Sequence, residues 1–275
     1  MKNKVSNEKN WQERIMEQYM NGELQVLKRK DTFNFDCVRC GKCCRNRTDI
    51  LLNPFDLFRL CRAKKISPKD FITKYCVLYV GHSSFLPLIR VDFRPVYDVG
   101  GENVIGTRCP FLGRKGELFH CRVNDAKPFV CFAYPLGRHE KDTGEIEYVL
   151  QDGLNCAGGR KAHTDGTSQV VEEWMQGKEK VDLEERYLPI FDNFLKTYHE
   201  WIDVEKLAKC NMLEGRLFRI WLVNIAEILY INYDFDADDE AFLAQFALNI
   251  KAVETVCKTF VEHFASVIDL RPKKE

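Results

Sequence analysis

The sequence predicts an α+β protein: a small irregular cysteine-rich metal-binding core with short strands, followed by a helical C-terminal region. Three observations carry this. Eight of the 12 cysteines form two groups in the first 156 residues. The text between them alternates apolar with charged residues over short stretches, as half-buried strands do. Beyond residue 165 the apolar residues take helical spacing, and only Cys210 and Cys257 remain. The corresponding organisation is an N-terminal helical segment at 1–30, a cysteine-cluster metal-binding domain at 31–164 and a helical region at 165–275.

Taken in order, Trp11, Ile15, Tyr19 and Leu27 predict an amphipathic helix over 8–29, with Asn21-Gly22 as its weak point. Cys37, Cys40, Cys43 and Cys44 follow in FDCVRCGKCCRNR. Gly41 sits inside this run, where only glycine turns with positive φ at no cost. Residues 28–49 hold seven basic side chains against three acidic ones, which suits neighbouring thiolates or an ordinary solvated face. Asn53-Pro54 marks a helix start at 54–64, with Asn53 as N-cap. Ser67-Pro68 with Asp70 marks a second start, for a helix running to about Val80 and ending at Gly81. LIRVDFRPVY at 88–97 reads as a strand with Ile89, Val91 and Phe93 inward, and Pro95 places it at an edge. Short strands are expected at 102–107, 117–122 and 145–150. Helices are expected at 168–176, 182–198, 203–231 and 239–268.

Composition excludes several classes. The 41 Lys and Arg are balanced by 41 Asp and Glu, so there is no global basic charge and no clear nucleic-acid signal. Charged residues make up 30%, and no apolar run reaches the ~18 residues of a membrane span. The polar first 30 residues show no secretory pattern, so the cytoplasm is the expected compartment. Clustered cysteines in a reducing compartment are more often metal-binding or catalytic than bridged.

The spacing specifies the chemistry further. Cys-x2-Cys-x2-Cys puts three thiolates on one short loop, as iron–sulfur sites do, whereas zinc more often takes two cysteines from each of two knuckles. Cys109, Cys121, Cys131 and Cys156 could supply a second set, and neighbouring Cys43 and Cys44 could serve different centres. Both iron–sulfur and zinc stay open. His120 beside Cys121 is a candidate donor, although a lone histidine is more often structural. Cys61, Cys76, Cys210 and Cys257 read as small core residues. Two thiol–disulfide signatures, Cys37/Cys40 and Cys40/Cys43, overlap, which fits a metal site better than a clean redox pair. No dinucleotide-binding, P-loop or nucleophile-elbow pattern occurs, so no catalytic residue is assigned. Arg90, Asp92, Arg94 and Arg138 are candidate anion-binding groups, more simply read as surface ion-pair members.

CVRCGKCCRNRTDILLNPFDLFRL, CPFL, CRV, AKPFVCFAYPLGR and CAGG together resemble the YkgJ-type cysteine-cluster family, also called the CxxCxxCC zinc- or iron-chelating domain, over roughly residues 34–160. The resemblance implies that Cys37, Cys40, Cys43, Cys44, Cys109, Cys121, Cys131 and Cys156 are cluster ligands. Family members usually show Arg-Pro where this chain has Lys127-Pro128, which keeps the charge but loses the two-pronged guanidinium. A distant similarity to flagellin lysine N-methylases implies methyl transfer from S-adenosylmethionine. The resulting expectation is a metal-binding protein with one or two iron–sulfur clusters of the 4Fe-4S kind, in a structural or redox role and with a protein or redox partner. Alternatives are a cluster-dependent protein-lysine N-methyltransferase using S-adenosylmethionine, and a zinc or iron chelating carrier.

Overall fold

In a computed structural model, residues 17–81, 84–141, 143–151, 165–176, 183–209, 215–265 and 270 are described. The first described helical residues, 17–20, end at the Asn21-Gly22 turn, where Gly22 takes a φ of 70°. The chain then enters β1 (Gln25–Leu27) instead of continuing the expected helix to 29. The left-handed turn ends the helix there, at little cost for glycine.

Among the described residues, five small antiparallel sheets form the first part of the chain. β1 joins β11 (Ile146–Leu150), which pairs with β10 (Leu136–Glu140). β2 (Thr32–Asn34) pairs with β12 (Ser168–Val170). β3 (Leu51–Leu52) and β4 (Cys76–Val80) flank β5 (Pro87–Val91). Two ribbons complete the set: β6 (Arg94–Tyr97) with β7 (Val104–Arg108), and β8 (Leu112–Lys115) with β9 (Leu118–Cys121).

The helix α1 (Pro54–Lys64) starts where Asn53-Pro54 places it. Asn53 accepts from the Asp56 amide at 2.7 Å, and Asp56 reaches back to the Asn53 amide at 3.4 Å, closing a capping box. The next helix, α2 (Pro68–Tyr75), is capped by Ser67. It stops five residues short of the expected end, because Cys76–Val80 pairs residue for residue with β5. Val77, Tyr79 and Val80 favour a pleated surface, and pairing with β5 outweighs continuation of the helix. The expected strand at 88–97 is likewise divided, with Ile89 and Val91 buried in β5 and Pro95 in the separate β6 ribbon. Pro95 is tolerated there because each strand of a two-stranded ribbon has an unpaired edge.

The short α3 (Phe129–Ala133) carries Cys131. Beyond β12 come α4 (Val171–Gln176), α5 (Leu183–Arg186), α6 (Leu188–Trp201), α7 (Val204–Lys209), α8 (Arg216–Tyr230) and α9 (Asp239–Phe264). Residues 168–170 are thus strand, not the start of a helix. No described helix is long and apolar enough to cross a membrane.

The main core runs from α1 and β5 into the helical region, through Phe55, Phe58, Ile89, Tyr187, Trp221 and Phe242. Cys61 and Cys257 are buried within it, as core residues should be, while Cys76 is half-buried at its edge and Cys210 lies outside the described residues. A second, smaller core beneath β1, β10 and β11 gathers Leu27, Phe33, Phe35, Tyr148, Val171 and Met175.

Candidate functional site

The cysteine loop is shaped by one glycine and one aromatic ring. Gly41 takes a φ of 67°, and a Cβ there would lie 2.9 Å from Cγ of Phe119. Phe119 in turn donates its amide to the Arg39 carbonyl at 2.9 Å, and the Arg45 guanidinium lies 4.8 Å from its ring centroid. The β8–β9 ribbon therefore acts as a platform for the loop. From Gly41 the chain enters a single 3-10 turn, Lys42–Cys44, which presents Cys43 and Cys44. Its exit is pinned to β7: Asn46 donates its amide to the Thr107 carbonyl at 3.0 Å and accepts from the Thr107 amide at 2.7 Å. The Cys109 amide donates to the Cys44 carbonyl at 2.8 Å, fixing the two cysteines as neighbours.

Gly41→Ala should consequently destabilise the protein by roughly 1–3 kcal/mol through left-handed strain and the clash with Phe119. Denaturant unfolding measures this, and an unchanged midpoint would contradict the packing.

These elements enclose a cavity of about 400 Å³. Cys37, Cys43, Cys44, Cys109, Cys121 and Cys131 all lie on its walls. Cys37 is exposed and the other five are half-buried. Cys40 is half-buried but is not a wall residue, and Cys156 lies outside the described residues. The sulfurs of Cys43 and Cys44 are 3.8 Å apart. Either could donate, and the positive charge of Lys127 and Arg47 favours the thiolate at Cys43. The hydrogen bond from Cys44 draws the Cys43 thiol down to about 6 against the opposing effect of burial, with Lys127 and Arg47 contributing positive charge. That same bond, burial and the nearby sulfurs hold Cys44 protonated. Burial pushes Cys109 up to about 11 and also raises Cys121 and Cys131. The cavity thus contains one favoured thiolate among thiols.

Its remaining walls are apolar, basic or, at Asn124, Tyr134 and Gln151, neutral and polar. Phe111, Val123 and Val130 supply apolar surface, while Arg39, Arg47, Lys127 and His120 supply nitrogen. Arg47 is paired with Asp49 at 2.6 Å. The proposed anion-binding groups are elsewhere. Arg90 donates to the Thr48 carbonyl, Arg94 pairs with Asp92, and Arg138 pairs with Glu140 and Asp192. None of the four is a wall residue.

One residue with no sequence assignment positions a wall. Asp56, 3% exposed, accepts from the Phe129 amide at 2.8 Å and so holds the start of α3, which carries Cys131, against α1. The capping pattern Asn53-x-x-Asp56 was available to find its local role, but the bond to Phe129 spans 73 residues and has no local signal.

Residues 36–156 match the CxxCxxCC family model, described as "Putative zinc- or iron-chelating domain". This segment is similar to the CxxCxxCC domain family. No curated protein and no solved structure matches the chain, and the match gives no support to a relation with flagellin lysine N-methylases.

The thiols of the matched segment do not fit the metal centre expected of them. Among the described residues, no three His, Cys, Asp or Glu side chains come together as a group able to hold a metal ion. A centre needs donors closing on one point at bonding distance, ~2.3 Å for zinc and sulfur. Here Cys43 and Cys44 touch, while the other thiols face the same space from separate elements. The expected 4Fe-4S clusters, the zinc alternative, the chelating carrier and the cluster-dependent S-adenosylmethionine chemistry are corrected on this ground. Sharing a cavity is a looser condition than coordination.

Proposed function

We propose that the CxxCxxCC domain is a thiol–disulfide exchange site, with Cys43 as the attacking thiolate and Cys44 as the thiol that completes the exchange. The observation that carries this reading is the contact of the two sulfurs, 3.8 Å apart, on the wall of a cavity that a small reactant can enter. Exchange requires a thiolate, access and a second thiol within reach. Cys43 attacks one sulfur of a disulfide, and the other sulfur leaves with the bonding electron pair. Cys44 then loses its proton and attacks Cys43 Sγ, releasing the second thiolate. The net change is one disulfide reduced and one Cys43–Cys44 bridge formed. Adjacent Cα atoms lie about 3.8 Å apart, whereas ordinary disulfides span ~4.4–6.8 Å. A bridge between neighbours is strained and readily reduced, which suits turnover more than stapling. The free thiols of the described cysteines fit a reducing compartment such as the cytoplasm.

The test is alkylation of the reduced full chain, followed at each cysteine by peptide mass spectrometry. Cys43 should reach half its maximal rate near pH 6 and rise with the thiolate fraction, whereas Cys109 should follow only towards about 11. Cys44→Ala should move the Cys43 midpoint up, since the donating thiol is lost. Uniformly slow cysteines, or iron or zinc retained in the purified protein in proportion to protected thiols, would overturn the assignment.

A further inference from the structure

The charge on the cavity walls is one-sided in a chain whose formal net charge is zero. No Asp or Glu is among the described wall residues, while Arg39, Arg47 and Lys127 all are. Arg47 is held by Asp49, but neither Arg39 nor Lys127 forms an ion pair among the described residues. Low-dielectric walls such as Phe111 and Val123 strengthen the field of such cations inside the cavity. The volume, about 400 Å³, lies at the lower end of the range for small-molecule sites, ~300–1,000 Å³. It suits a low-mass organic molecule with an apolar body.

Resting on the exchange reading above, we infer that this cavity selects small organic disulfides carrying carboxylate groups, Lys127 and Arg39 receiving a carboxylate while the disulfide meets Cys43. Lys127 has two separable effects. It favours the Cys43 thiolate, which speeds attack on any disulfide. It also attracts the anionic reactant, which speeds attack on charged disulfides alone. The ratio of rates for a charged and an uncharged disulfide cancels the first effect and keeps the second. The step itself is the one already balanced: the reactant disulfide is the oxidant, Cys43 and Cys44 are the reductant, and two small thiolates leave.

The experiment uses the reduced full chain and two aromatic disulfides: dithiobis-nitrobenzoate, which is dianionic, and dithiodipyridine, which is uncharged at neutral pH. The initial rate of modification at Cys43 is read by peptide mass spectrometry, with a simple thiol as the reference for intrinsic reactivity. Relative to that reference, the protein should prefer the dianion by about tenfold or more at low salt, and the preference should shrink as salt is raised. Lys127→Gln and Arg39→Gln should each reduce the preference, whereas Lys127→Arg should keep most of it. A preference absent in the natural protein, or unchanged in both Gln variants while both rates fall together, would overturn the inference and leave the exchange site standing. Cys43 inert to both disulfides would instead take down the exchange reading itself.

Discussion

Asp56→Asn should abolish a loss of stability that the natural protein suffers as pH rises from about 4 to 7. Burial pushes the Asp56 carboxyl up from 3.8 to about 7, against the two amide hydrogen bonds from Phe129 and Asn53 and the charge of Arg59, which favour ionisation. The folded chain therefore keeps a proton that the unfolded chain has lost over this window. Stability falls wherever the folded state binds more protons and pH rises. The contribution of the protonated group is full below 3.8 and is lost as pH passes about 7. At about 1.4 kcal/mol for each pH unit, the window is worth on the order of 4 kcal/mol. Asn has no such proton to lose, and its carbonyl can still accept from Phe129. Denaturant unfolding of both proteins at several pH values gives the difference directly, since the other titrating groups are common to both. The variant should gain on the natural protein from pH 4 to 7 and hold that gain above it. A constant difference would show that Asp56 does not titrate there. Asp56→Ala serves as the contrast: it removes the ionisation but leaves the Phe129 amide without its acceptor, and should also loosen the α3 wall that carries Cys131.

The parts of this fold that were legible in the sequence are those set by local contacts. Asn53-Pro54 fixes the start of α1 because an N-cap and its reach to the third residue lie within one turn. Gly22 and Gly41 mark left-handed turns for the same local reason. The end of α2 was not legible, because Cys76–Val80 is strand only by virtue of its pairing with β5. The cysteines show the same division more sharply. Their grouping along the chain was enough to draw attention to one region, and six of them face one cavity. Spacing cannot supply the geometry that separates a coordination sphere from a shared space, which depends on distances of an ångström or less between elements far apart in sequence. It also cannot show that the Cys43 and Cys44 sulfurs are in contact, or that Lys127 shares their cavity and favours the Cys43 thiolate. The overlapping Cys-x-x-Cys pairs drew attention to residues three apart, whereas the contact that matters is between immediate neighbours.

Phe242→Ala should lower stability by roughly 3–5 kcal/mol and should unfold the thiol cavity together with the helices. Phe242 is 1% exposed near the start of α9. Its ring lies 4.3 Å from that of Phe58, 4.5 Å from Tyr233 and 5.4 Å from Phe55, measured between centroids. Two of these partners belong to α1, the helix whose buried Asp56 holds α3 and Cys131 in place. Tyr187 reinforces the same junction, accepting a hydrogen bond from the Phe55 amide at 3.3 Å and stacking on the Phe55 ring at 5.0 Å. Truncation at position 242 thus opens a void where the helical region grips α1, and α1 cannot shift without moving a wall of the cavity. The measurement is denaturant unfolding followed by two probes, far-ultraviolet circular dichroism for the helices and alkylation of the half-buried Cys131 thiol for the cavity. Both transitions should move to lower denaturant by the same amount and stay coincident, as one cooperative unit requires. Leu248→Ala, on the exposed side of α9 at 58% exposure, should change stability by no more than about 0.5 kcal/mol. If Phe242→Ala shifted the helical transition and left Cys131 protected, the cavity would stand on its own sheets, and the aromatic junction would be a docking contact between two separately stable parts.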